Sequence, residues 1–289
     1  MGKHITGKLR KFAAFFLVFL LLLLTVLEIG LRFSVSKKPW VPDYPKEDIS
    51  PVLYKKSYTN EDYRFLYLQT GLGRIGIDEL VAAGEYEKII TIHHQFFDEQ
   101  NLIFERFSIF AAILHRSDTI TLHAPLSDGD ILYSPSTYFS FFEVGHSALV
   151  TNGKKELMAQ ASGYGNPLET IDSRSFFARP IYVILRVNTD EESRNNAVKY
   201  TKDNCIGARY NILAGIFDSE PDGKLKSTHC SHFINLAYAS VGIELDSDGG
   251  RIVTPKDIFN SPGLSVVQVF GIDPNSEMLF DRALSSSSE

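Results

Sequence analysis

The sequence predicts an α+β protein, helices first and strands after, set behind a hydrophobic N-terminal helix. Three observations carry this. The sixteen residues from Phe12 to Leu27 hold no charge and follow Lys3, Lys8, Arg10 and Lys11. Between Glu61 and Leu114 apolar residues recur at helical spacing, interrupted at Gly71 and Gly84. From Asp118 onward short alternating runs take over, and Asn152-Gly153, the strongest short hairpin signal, lies between two of them.

With Glu28 and Arg32 counted as interfacial, Phe12 to Phe33 rise about 33 Å as a helix, enough for a hydrocarbon core of about 30 Å. Ser34-Val35-Ser36 has the small-x-small pattern of a cleavable signal. The apolar run is overlong for one, however, and Glu28 and Arg32 stand where cleavage signals are neutral. An uncleaved anchor over residues 1–36 is therefore expected. Basic-then-apolar order places the bulk of the chain outside the cytoplasm, although Arg32, Lys37, Lys38 and Lys46 nearly balance the charges before the helix.

At 289 residues, 44% hydrophobic and 22% charged, the chain can bury one good-sized core beside that segment. A net charge of −6 argues against a nucleic-acid surface, which needs concentrated Lys and Arg. Cys205 and Cys230 allow at most one disulfide and no thiol-rich metal site. A bridge would consume the candidate nucleophile, so both are expected free.

Pro39, Pro42 and Pro45 make residues 37–60 a linker that lifts the rest off the bilayer. A helical section over 61–117 follows, with helices at Glu61–Gln69 and Ile77–Ala83. Helical stripes also run through Tyr86, Ile89, Ile90, Phe96 and Phe97, and through Phe104, Phe107, Phe110 and Leu114. His93-His94 with Asp98 are too few ligands for a metal, so these read as core or surface histidines. Residues 118–271 form the main domain. Its strands are expected at Thr119–His123, Gly129–Tyr133, Gly145–Thr151, Lys154–Ala161, Tyr182–Val187 and Leu264–Phe270. Glu191–Cys205 reads as a helix, Asp218–Asp222 as an acidic loop, and Pro255–Phe259 as a turn or short helix. Residues 272–289 are a tail, mobile at Ser285–Ser288.

Ser227-Thr228-His229-Cys230-Ser231-His232-Phe233 opens an amphipathic run closed by Gly242. A cap at Ser227 or Thr228 puts Cys230 in the first helical turn. There the helix dipole and free N–H groups favour a thiolate and can hold an oxyanion. A cysteine nucleophile needs a base, and His146 stands among Val144, Ala148 and Val150, where a polar ring must have a partner. His229 and His232 flank Cys230 on its own helix, where near neighbours diverge. A metal site from His229, Cys230 and His232 lacks a fourth ligand.

Gly129-Asp130-Ile131-Leu132, Gly145-His146-Ser147-Ala148-Leu149-Val150, Gly207-Ala208-Arg209-Tyr210 and His229-Cys230-Ser231 occur in that order. Over about residues 119–270 the chain resembles the circularly permuted papain-fold proteins called YiiX-like, relatives of NlpC-type cell-wall cysteine peptidases. The resemblance implies an antiparallel sheet with a helix carrying the cysteine. It also implies Cys230 as nucleophile, His146 as general base, Tyr210 helping to hold the oxyanion, and no cofactor. The lecithin:retinol acyltransferase group shares the permuted order. Its asparagine-cysteine-glutamate-histidine-phenylalanine signature is echoed by His229 to Phe233, without the glutamate.

The family's third residue is a polar side chain on the next strand. Gln160 is the candidate, with Glu156 behind it. A plain two-residue loop at Asn152-Gly153 would set His146 opposite Ala159 and turn Gln160 away. A three-residue loop or a bulge would bring Gln160 across. Glutamine can hold a tautomer but cannot stabilise an imidazolium as a carboxylate does.

The expected function is a membrane-anchored thiol hydrolase that cuts a peptide-like amide of the cell envelope through a Cys-His acyl-enzyme. Two alternatives stay open. The aromatic run Tyr138-Phe139-Ser140-Phe141-Phe142 suits an acyl-lipid hydrolase or acyltransferase. Gln160 in place of a carboxylate suits a papain-like binding module whose chemistry is lost.

Overall fold

The computed structural model describes residues 2–117, 122–216 and 223–285. Helix α1 (Gly2–Val35) contains an apolar stretch, Lys11–Val35, long enough to cross a membrane. Its side chains from 11 to 26 stand clear of the rest, and packing begins at Leu27. The expected spacer does not hang free. Trp40 N–H donates to Gly271 O at 3.0 Å, the Trp40 ring lies against Tyr44 and Phe96, and Ile49 is buried, so this segment is a strap laid along the domain.

Four helices follow: α2 (Ser50–Leu53), α3 (Asn60–Thr70), α4 (Arg74–Ala82) and α5 (Tyr86–Phe97). Thr59 and Asp62 close a capping box on α3, and Gly71, at φ 71°, ends it in the left-handed conformation that glycine permits. The stripe from Phe104 to Leu114, expected to be helical, is instead a hairpin of β1 (Leu102–Ser108) and β2 (Ala111–Arg116). Spacing of three between aromatics fits a helix only if one face is covered. Here β1 is covered on neither, and the Ile and Phe content of the segment favours strand.

The chain continues through β3 (Ile131–Ser134), β4 (Thr137–Phe139), β5 (Phe142–Glu143), β6 (His146–Asn152), β7 (Leu157–Gln160), β8 (Glu169–Asp172), α6 (Arg174–Phe177) and β9 (Tyr182–Val187). Then come α7 (Glu191–Tyr200), extended by a π-helical turn to Cys205, and β10 (Arg209–Tyr210), β11 (Ser227–Thr228), α8 (His232–Ala239), α9 (Pro255–Asn260), β12 (Leu264–Phe270) and α10 (Glu277–Leu284). The strand expected at Thr119–His123 falls mostly outside the described residues, and His123 itself is in no strand. Asp218–Asp222 and residues 286–288 also lie outside them.

β12-β9-β3-β6-β7-β8 form one sheet, antiparallel at every pair. β1-β2-β4-β5 form a second, smaller antiparallel sheet. Both faces of the larger sheet are buried. Ile131, Leu149, Val183 and Leu185 pack with α7 and α8, whereas Leu132, Ala148, Val150 and Ile184 pack with α3 to α5. Arg186 locks the second arrangement, bonding Asp130 through two nitrogens at 2.8 and 2.9 Å and also reaching Glu79 on α4.

Candidate active site

Two side chains at the start of β6 leave the sheet on opposite faces. His146 shares its face with Ala148, and Ser147 shares its face with Leu149. Along the ladder Val150 exchanges bonds with β3, accepting from Gly129 and donating to Asp130 O. Even-numbered residues of β6 therefore bond toward β3, and the Ser147 N–H turns toward β7. The pairing with β7 ends on that side at Leu149↔Ala159. Cys230 comes to this gap, its sulfur near the backbone and hydroxyls of Ser147 and Ser231. The Ser147 hydroxyl is buried and has no hydrogen-bond partner among the described residues, so its proton can be turned toward the thiol. The nucleophile candidate thus meets β6 at the peptide bond that joins His146 to Ser147.

Gln160 reaches His146. The register Leu149↔Ala159 sets Ala148 opposite Gln160, so Gln160 shares the face of His146 one pair along, and its Oε1 lies 3.1 Å from His146 Nε2. A bulge between Val150 and Asn152 makes this parity possible, and the return strand begins only at Leu157 rather than at Lys154. With Oε1 accepting, the proton resides on Nε2 and the Nδ1 lone pair is left to act as base. Glu156 is elsewhere, at the turn, with its carboxylate 3.9 Å from His123 Nε2.

The local setting of Cys230 differs from expectation in two ways. Ser227 and Thr228 do not cap the helix, because they form β11, which pairs in parallel with Arg209 and Tyr210. The N-cap is Ser231, so Cys230 is the residue just before it rather than in the first turn. The thiolate is not favoured at rest either. Burial pushes the Cys230 thiol above its ordinary range and outweighs the contacts from Ser147 and Ser231. Burial, followed by the charge of Arg179, depresses His146 to about 3. At rest the thiol and the imidazole are each neutral, and the bond given to the imidazole is that of Gln160.

Tyr210 also comes to the site. Half-buried, it packs edge-on against Tyr164 with centroids 5.1 Å apart. Burial and the neighbouring Cys230 raise its phenol, which stays a neutral donor. Cys205, by contrast, is free, buried and raised to about 12 by burial alone. His229 Nδ1 faces Ser231 Oγ at 3.3 Å and His232 Nδ1 faces Thr228 Oγ1 at 3.2 Å, so both rings serve the loop around Cys230. Among the described residues, the acidic set whose oxygens could meet at a cation is Asp246, Asp248 and Asp257. Each already caps backbone N–H groups of its own turn.

Sequence reasoning missed Arg179. It is buried, donates from Nη1 to Thr137 Oγ1 at 3.0 Å and lies 5.1 Å over the Phe176 ring, while its Nε has no partner among the described residues. Burial lowers it only to about 10, so it is charged at neutral pH, and that charge bears on both His146 and Cys230. Its signal was in the sequence: an arginine between Phe176-Phe177-Ala178 and Pro180 is a cation in apolar company, which needs a purpose. Arg179, His146, Gln160, His115, Thr137 and Phe107 line a cavity of about 240 Å³. No family model, curated protein or solved structure matches this chain.

Proposed function

We propose that this protein is a membrane-anchored thiol hydrolase built on a permuted papain-like scaffold, with its catalytic part outside the cytoplasm. The observation that carries the reading is the placement of Cys230 beside Ser147, the residue after His146, whose ring Gln160 holds by Nε2. The order of the His strand before the Cys helix, and an antiparallel sheet between them, support the scaffold.

In this reading Cys230 Sγ attacks an amide or ester carbonyl as its proton passes to His146 Nδ1. The S–C bond forms and the carbonyl oxygen becomes an oxyanion, which Tyr210 and the Ser231 N–H stabilise. His146 returns the proton to the leaving nitrogen or oxygen as that bond to carbon breaks. Water then adds to the acyl-enzyme, its proton goes to His146, the S–C bond breaks, and the sulfur regains its proton from the imidazole. Arg179 supplies fixed positive charge beside the developing anion.

The resemblance implies a cell-envelope peptide amide as substrate; the cavity is lined mainly by polar side chains, and Phe107, Ile113 and Phe176 give it an apolar side that could take part of an acyl chain. Mass spectrometry of the full chain after exposure to an activated ester tests the chemistry. An acyl adduct on Cys230 that forms far more slowly in His146→Ala is expected. A Cys230 that stays unmodified, or is modified equally in both, would overturn the hydrolase and leave an inert module.

A further inference from the structure

The smaller sheet presents apolar side chains to the outside. Ile109 at its first turn and Phe142 at its second are 74% and 68% exposed, and Ile103, Phe104, Phe107 and Phe141 are about half exposed. A sheet facing water would carry polar residues there. These tips are fastened to the part of α1 that enters the apolar run. Ser140 Oγ donates to Leu27 O at 3.0 Å, and Arg106 grips Glu28 at 2.6 and 3.0 Å. The Phe141 ring lies where a Cβ on Gly30 would be, 2.4 Å away, so only glycine admits it. The two turns are themselves joined, Ser140 N–H donating to Phe110 O at 2.8 Å.

Twenty residues from Phe12 to Leu31 cover a hydrocarbon core of about 30 Å, which sets Leu27 and Glu28 at its outer edge. A bilayer that holds α1 therefore reaches both turns. The hairpin of β1 and β2 has Ala112 and Leu114 against Leu31 of α1. Its other face, with Glu105, Ile113 and His115, lines the cavity of His146. One hairpin thus stands between the anchor and the cavity lined by His146, Gln160 and Arg179.

We propose that the β1–β2 and β4–β5 turns insert into the outer leaflet beside α1, and that the cavity takes the acyl chain of a membrane lipid whose ester or amide carbonyl is delivered at headgroup depth. The docking rests on the contacts with α1. The substrate class rests on the thiol-hydrolase reading.

The test uses the full chain in lipid nanodiscs. Ile109→Trp is compared with the parent chain, whose single tryptophan is Trp40. The added fluorescence should fall at least twofold when the discs contain phosphatidylcholine brominated near the headgroup end of its acyl chains. Unquenched emission overturns the docking, and two copies per disc with unquenched emission would assign the tips to a second copy instead. In I109S/F142S, whose changes are at exposed positions, turnover of the disc lipid relative to a soluble short-chain ester should drop at least tenfold. A Cys230-dependent soluble-ester activity with no lipid turnover overturns the substrate class alone. Quenching without Cys230-dependent turnover of either substrate would retain the docking and end the hydrolase reading.

Discussion

The two cysteines are both free, both buried, and both raised by burial, yet their surroundings differ in kind. Cys205 closes the π-helical turn after α7 and joins an apolar cluster with Ala208 and Leu168. Nothing near it opposes the cost of a negative sulfur. Cys230 is also buried, but the polar groups of Ser147 and Ser231 lie near it, and the charge of Arg179 and the phenol of Tyr210 are close enough to act on it. Burial alone makes a thiol inert; burial among donors makes one whose charge is costly at rest and supported once it develops.

The sharpest way to break the comparison is to exchange the two. Cys230→Ala should lower hydrolysis of an activated ester by about 10³-fold or more, whereas Cys205→Ala should leave it within about twofold. Equal effects would make the distinction empty. His146→Ala follows, with an expected loss of about 10² to 10⁴ in kcat, the usual worth of a positioned base.

Arg179→Gln should slow alkylation of Cys230 at pH 8 by about tenfold, one unit of thiol pKa, and leave Cys205 untouched. It should also release His146 from a neighbouring cation, so the acid limb of the pH–rate profile moves to higher pH. Gln160→Ala should cost about tenfold through a loosened ring. Gln160→Glu should move the acid limb upward, because a carboxylate favours the imidazolium. An unmoved limb in both variants would mean that His146 is not the titrating base.

The last effect concerns stability. His146 titrates at about 3 in the fold against about 6.5 in an unfolded chain. Between those values the unfolded chain binds the proton and the native one does not, so stability falls as pH drops through that window, by about 1.4 kcal/mol per unit. Urea midpoints at pH 6 and pH 4 should be closer together in His146→Ala than in the parent.

Much of this could be read before any fold was known. The helices ending at Gly71 and Gly84, and the strands at Tyr182–Val187 and Leu264–Phe270, follow from periodicity and punctuation, which are local. The β1–β2 hairpin departs from the local pattern because three-residue spacing of phenylalanines suits a helix until one knows that no core covers β1. The N-cap lies elsewhere for a similar reason: Thr228 has capping chemistry, but it pairs with β10 in register with Tyr210, and its carbonyl accepts from Asn211 N–H.

By itself the sequence determined the identities that matter: an apolar segment long enough to cross a bilayer, a thiol beside a helix start, an imidazole on a strand and a glutamine on the next. Tertiary structure decided the rest. One bulge after Val150 set the face on which Gln160 emerges, and the early end of β7 left the Ser147 N–H to the thiol. Register and burial decided these, and both are sums over partners distant in the chain. Local pattern names the groups, but the protonation each one holds depends on how much water the assembled fold removes.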